Sequence, residues 1–211
     1  MGPRRESAPP VPGARELGVT GAFVFAPEAF PDHRGVFLSP YREAVFSAAV
    51  GRPRFPVVQT NHTRSAAGVL RGVHFTLTPP GAAKYVYCAH GRALDLVVDL
   101  RVDSPGFGTW SAVPLEARVP RAVYLPVGVG HAVLALEDDT VMSYLMTAAY
   151  APELEHSVAA DDPELGLPIP TDPPPIRSER DHTAPRLAEH RRAGRLPTLA
   201  DCARAEAEIF R

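Results

Sequence analysis

The chain has 211 residues, 45% of them hydrophobic and 22% charged, with 16 glycines, 24 prolines and a formal net charge of −2. That length suits one domain with a tail, and the composition excludes a fully disordered or fibrous chain. No basic run suits a nucleic-acid backbone, no apolar stretch is long enough to span a membrane, and the proline-rich N-terminus lacks a signal peptide's apolar centre, so neither nucleic acid nor membrane is expected as a partner and the cytoplasm is the expected compartment.

Residues 1–16 read as a flexible leader. From 17 to 170 the chain consists of short runs rich in Val, Phe, Tyr, Thr and Leu, punctuated by Gly, Pro, Asp and Ser, the pattern of an all-β sandwich or barrel. A short helix is predicted over 43–50, and strands over 57–63, 69–76, 84–89, 92–101, 122–125, 131–135 and 141–147. The clearest is 92–101, where Leu94, Leu96, Val98 and Leu100 alternate with Asp95, Asp99 and Arg101, the period-2 signature of a half-buried strand. No internal repeat interrupts this pattern.

After residue 170 the composition changes. TDPPPI (171–176) reads as an extended linker, Ser178 and Asp181 offer a helix-capping pair, and 187–192 and 199–210 carry helical character. Leu199, Ala203, Ala207 and Phe210 form a helical stripe, which predicts that the tail, 171–211, docks on the same domain. Cys88 and Cys202 form no CxxC pair and read as reduced thiols.

Of the 22 basic residues only Lys84 is a lysine. An ammonium is a compact point donor whose pKa moves on burial, which suits the stabilisation of a single oxygen. Lys84 lies in a segment that begins G-x5-H at Gly68–His74, and a second segment carries P-x-G-x-x-H, ending at His131. Together they resemble the two motifs of the cupin superfamily, a jelly-roll β-barrel. Where metal-binding cupins offer a further His and a Glu this chain has Thr76 and, nearby, Lys84, so a metal-free barrel is expected, with no cofactor.

Within the cupins, FPDHRGVFLSPY (30–41), QTNHTRSAAGVLRGVHF (59–75), VVDLRVDSPGFGTW (97–110), YLPVGVGHAV (124–133), YLMTAAYAPELE (144–155) and DDPELGLPIP (161–170) resemble, in order, the dTDP-4-dehydrorhamnose 3,5-epimerases. The resemblance implies epimerisation of a dTDP-4-keto-6-deoxyhexose at C3, C5 or both. A proton alpha to the C4 ketone leaves one face of the ring, the enolate is stabilised, and a proton returns from the other face. It implies His74 as base, oriented by Asp162 or its neighbour Asp161, with Lys84 on the C4 oxygen and Tyr144 as acid. Tyr144 shares a strand face with Met142 and Met146, so its hydroxyl should project from an apolar interior surface.

For substrate binding the resemblance points to Arg34, Gln59, Asn61, Arg71, His131 and Tyr150. His131 also suits a structural bond to a neighbouring strand. Arg71 and His74, three apart, would face opposite sides of a regular strand, so a bulge or kink at Gly72 is implied if both enter the site. Relatives form homodimers by exchanging N-terminal strands, and the apolar 21–30 stretch is compatible with a dimer. Ser39 and Ile169 depart from the Glu and Trp of many relatives, and the tail resembles that of antibiotic-pathway enzymes, leaving the regiochemistry open. The rival readings are a nucleotide-sugar 3,4-ketoisomerase on the same fold and a non-catalytic nucleotide-sugar-binding cupin.

Overall fold

A computed structural model describes residues 13–211. In chain order the elements are β1 (Ala14–Glu16), β2 (Phe23–Phe25), β3 (Ala29–Asp32), β4 (Gly35–Leu38), α1 (Glu43–Val50), β5 (Gln59–Ser65), β6 (Leu70–Thr76), β7 (Lys84–His90), β8 (Arg92–Asp99), β9 (Trp110–Glu116), β10 (Ala122–Leu125), β11 (Val129–Ala135), β12 (Thr140–Met146), β13 (Glu155–Ser157), α2 (Glu179–His182), α3 (Leu187–Arg192) and α4 (Leu199–Ile209). The expected leader falls largely on residues 1–12, outside the described residues; its last residues, Ala14–Glu16, are not a leader but pair with β2.

Two antiparallel sheets face each other as a jelly roll, one in the order β1-β2-β10-β7-β12-β5 and the other β13-β6-β11-β8-β9, while β3 and β4 form a separate hairpin. Apolar residues divide into three groups accordingly. Val86, Cys88, Val97, Val113, Leu115, Val123, Val133 and Met142 pack between the sheets. The outer face of the five-stranded sheet, with Leu70, Val73, Phe75, Leu96 and Leu100, is covered by Val158, Leu165, Leu187 and Leu196 of the C-terminal region. The outer face of the other sheet, with Phe25, Tyr85 and Tyr124, is covered by Phe46 of α1 and by Cys202, Ala205 and Phe210. The barrel is thus lined on both outer faces by chain from its own ends.

Two expectations are corrected. Strand β8 is buried on both faces, because its polar face turns into the barrel, where Asp95 meets His131 and Asp99 forms an ion pair with Arg101. Each carboxylate has a cationic or hydrogen-bonding partner, which is what makes its burial tolerable. In α4 the buried side chains are Cys202 and Ala205, with Phe210 just beyond, while Leu199 is exposed together with Ala203 and Ala207. The helix is rotated from the stripe read in the sequence because alanine methyls contribute little apolar area and Cys202 and Ile209 lie on the competing i, i+7 face.

Candidate active site

A cavity of about 210 Å³ opens between the two sheets, lined by Asn61, Thr63, Arg71, His74, Lys84, His131, Val133, Tyr144, Met146, Tyr150 and Glu155. His74 and His131 enter it from the five-stranded sheet; Lys84, Tyr144 and Asn61 enter from the facing sheet. Seven of the ten residues expected at the site are therefore among its lining.

His74 and Arg71 both reach the cavity because β6 is irregular between them. The β6–β11 register shifts between His131 and Val133, and Gly72 takes a φ of 114°. A Cβ at Gly72 would lie 2.4 Å from the His131 carbonyl oxygen, so glycine is required both by backbone conformation and by the close approach.

His74 Nε2 lies 2.7 Å from Asp181 Oδ1. This corrects the expected partner. Asp162 is buried, but its carboxylate accepts backbone N–H bonds from Glu164 (2.9 Å) and Leu187 (2.7 Å), tying down the start of α3. Asp161 is exposed and pairs with Arg177. The D-D-P step is thus a turn and helix-capping device. The sequence pattern marks Asp181 only as a cap residue. It is that as well, since its backbone N–H donates to Ser178 Oγ, and the first turn of α2 aims its side chain into the barrel.

Burial pushes the His74 imidazolium to lower pKa, against the pull of the Asp181 carboxylate. Burial would raise Asp181, but the hydrogen bond and charge of His74, the Gly72 N–H and the Ser157 hydroxyl together hold its carboxyl below the usual range. The consistent state is an ionised Asp181 and a neutral His74. An ionised carboxylate only accepts, so Nε2 carries the imidazole proton and Nδ1 keeps a free lone pair.

Lys84 is buried, and burial drives its ammonium to lower pKa, opposed by Glu155 and Asp95. Its Nζ is 3.7 Å from Glu155 Oε2, and Thr76 Oγ1 donates to Glu155 Oε1 at 2.5 Å. Glu155 was not singled out from the sequence. Burial pushes its carboxyl up, yet Lys84 and Thr76 outweigh that and leave it lowered. Strand β13 brings it there by pairing with β6, Glu155 opposite Thr76.

Tyr144 packs edge-on against His131, ring centroids 6.0 Å apart, and burial pushes its phenol up to about 12. His131 Nδ1 bonds Asp95 Oδ1 at 2.9 Å, so its inter-strand bond and its place in the cavity coexist. Gln59 does not line the cavity. Its Nε2 donates to Asn61 Oδ1 (2.7 Å) and its Oε1 accepts from the Tyr150 backbone N–H (2.9 Å), so it holds two lining residues. Arg34 is not brought to the cavity of its own chain; it sits at the hairpin turn, highly exposed, bonded to Asp32. Ser39 and Ile169 also lie elsewhere, each beside a separate surface cavity. Among the described residues no three His, Cys, Asp or Glu side chains converge as a metal-ligating set.

The chain is similar over most of its length to proteins of one family. A dTDP-4-dehydrorhamnose 3,5-epimerase of Mycolicibacterium smegmatis is 48% identical over 189 residues, 90% of this chain and 92% of its own. The structure of NovW, a 4-keto-6-deoxy sugar epimerase from the novobiocin biosynthetic gene cluster of Streptomyces spheroides, superposes with a TM-score of 0.86 at 44% identity, over 96% of this chain and 98% of its own. ChmJ, a 3'-monoepimerase from Streptomyces bikiniensis solved with dTDP-quinovose, gives 0.86 at 44% identity over 92% and 98%. Residues 16–189 match the family model described as dTDP-4-dehydrorhamnose 3,5-epimerase, and the chain, a cupin-type jelly roll, belongs to that family.

Proposed function

We infer that the chain is a dTDP-sugar epimerase that inverts a dTDP-4-keto-6-deoxyhexose alpha to its C4 ketone, in deoxysugar biosynthesis of the antibiotic type. The observation that carries the reading is that an imidazole backed by a carboxylate and a buried phenol enter one cavity from opposite sheets, with the chain's only lysine also in the lining. Deprotonation and reprotonation on opposite faces of a ring need a base and an acid on opposite walls.

In this scheme His74 Nδ1 takes the C3 or C5 proton, and the Nε2–H···Asp181 bond supports the imidazolium that forms. The electron pair moves onto the C4 oxygen as an enolate, where the Lys84 ammonium neutralises the developing charge. Tyr144, with a phenol that stays protonated at neutral pH, returns a proton to the opposite face. No electron is gained or lost, so the cycle calls for no redox cofactor. In this reading the cavity-lining Arg71, His131, Asn61 and Tyr150 bind the sugar and the diphosphate, with Gln59 holding the last two.

Arg34 enters the scheme through a homodimer. The β3–β4 hairpin exposes Phe30, Val36 and Phe37, while the first half of the apolar 21–30 stretch is already used within the chain's own sheet. A second copy covering that hairpin would carry Arg34 toward a neighbouring cavity. The two free buried cysteines support a reducing, cytoplasmic setting, and no helix of the described residues is long and apolar enough to cross a membrane.

Incubation with dTDP-4-keto-6-deoxyglucose in deuterium oxide, read by NMR at C3 and C5, tests the reading. Label should enter at C3, at C5 or at both, and disappear in His74→Ala and Asp181→Asn. Wild-type protein that binds the nucleotide sugar without exchange would overturn it for this substrate.

A further inference from the structure

Asp181 is held by more than His74. Ser157, paired directly across from His74 on β13, has its Oγ 3.1 Å from Asp181 Oδ1 and 3.1 Å from Arg180 Nε. A guanidinium N–H only donates, so it occupies a lone pair of the hydroxyl, and the one hydroxyl proton is left for the carboxylate. The Ser157 carbonyl is itself fixed, accepting from the buried His190 Nε2 at 2.9 Å, and Arg180 Nη2 also donates to the Glu155 carbonyl at 2.8 Å. Every freedom of the serine is thereby used, by groups from β13, α2 and α3.

We propose that Ser157, oriented by Arg180, is a positioning residue for the general base: its hydroxyl locks the Asp181 carboxylate against His74 Nε2 and, by taking up part of the carboxylate's negative charge, limits how strongly Asp181 holds a proton on His74. This rests on the epimerase reading for its catalytic consequence, though not for its structural one. A base must be neutral before each turnover, and a carboxylate deprived of the Ser157 hydroxyl, keeping only His74 and the Gly72 N–H as donors, would favour the imidazolium. Ser157 touches no reacting atom. The charged and titratable groups facing this assembly are Arg71 on β6, His131 on β11, Lys84 on β7, Tyr144 on β12, Glu155 and His156 on β13, Arg180 on α2 and His190 on α3.

The test uses the full chain with Ser157→Ala and Ser157→Thr, the second keeping a hydroxyl on a strand that favours β-branched residues. In Ser157→Ala kcat should fall about tenfold, the scale of a hydrogen bond to a charged group, with KM little changed. The acid limb of kcat/KM and the midpoint of the His74 imidazole, followed by 15N NMR in the free protein, should both move to higher pH, and Ser157→Thr should restore them. An unmoved His74 midpoint in Ser157→Ala would overturn the proposal, whether kcat stayed the same or fell along with thermal stability. The NMR titration needs no turnover, so it decides the role of Ser157 even if the wild-type chain fails the exchange assay.

Discussion

Replacing Glu155 by glutamine should separate the charge of Lys84 from its position. Glutamine retains the acceptor for Thr76 and the volume of the side chain, and removes only the negative charge 3.7 Å from Nζ. At the effective dielectric of about 20 that suits protein sites, that charge favours the ammonium over the amine by about 4.5 kcal/mol. Its loss leaves burial as the dominant influence on Lys84, and burial favours the neutral amine. If catalysis requires the ammonium, kcat at neutral pH should fall by about 10²–10³, the scale of a lost oxyanion donor. The descending basic limb of kcat/KM should move to lower pH, because the ammonium now deprotonates earlier. Stability should respond with the same sign. Glu155, held low in the fold, stabilises it only while ionised, and only while Lys84 carries its proton, so Glu155→Gln should lose most in the window where both are charged, approach the wild type at low pH where the wild-type carboxyl is protonated as well, and approach it again as pH rises through the wild type's folded Lys84 pKa. Rates across pH 5–10 and thermal melts at the same pH values provide both readings. A variant whose basic limb stays where the wild type has it would refute the reasoning, since the carboxylate would then have no hold on the lysine's charge.

Two further outcomes distinguish structure from chemistry. Asp162→Ala removes two backbone caps, so it should cost about 1–2 kcal/mol in a denaturant titration and leave kcat within about twofold, whereas Asp181→Asn should lower kcat by about 10²–10⁴ with a smaller effect on stability. Phe37→Asp on the exposed hairpin should convert a dimer of twice 22.7 kDa into a monomer in light scattering; a wild-type chain that is already monomeric would end the dimer reading.

The parts of this fold that could be read from sequence are those set by local periodicity. The helix over 43–50 and the strand over 122–125 are found as expected, because each is bounded by Gly, Pro or charged turn residues and one face is plainly apolar. Strand β8 shows where that reading stops. Its alternation is real, but alternation reports that the two faces differ and does not say that the polar one meets water, and here Asp95 and Asp99 are enclosed by a second sheet. The bulge at Gly72 was legible for a different reason: two residues needed on one face stood three apart, with glycine between them.

The groups that support the chemistry were hidden because they arrive from outside the motif-bearing strands. His74, Lys84 and Tyr144 sit in recognisable strands, but Asp181 looks like an ordinary third residue of a capped helix, and Glu155 and Ser157 like loop residues after a proline. What gives them their roles is the pairing of a three-residue strand with β6 and the docking of a four-residue helix beyond a proline-rich linker. Neither is stable as an isolated element, since so short a helix does not form unaided in water. Their order comes from the apolar contacts of Val158, Leu165, Leu187 and Leu196 on the outer face of the five-stranded sheet. It follows that the His74–Asp181 pair assembles only when the tail docks. Conditions that loosen 158–196 without melting the barrel should abolish exchange while leaving Lys84 and Tyr144 in their strands.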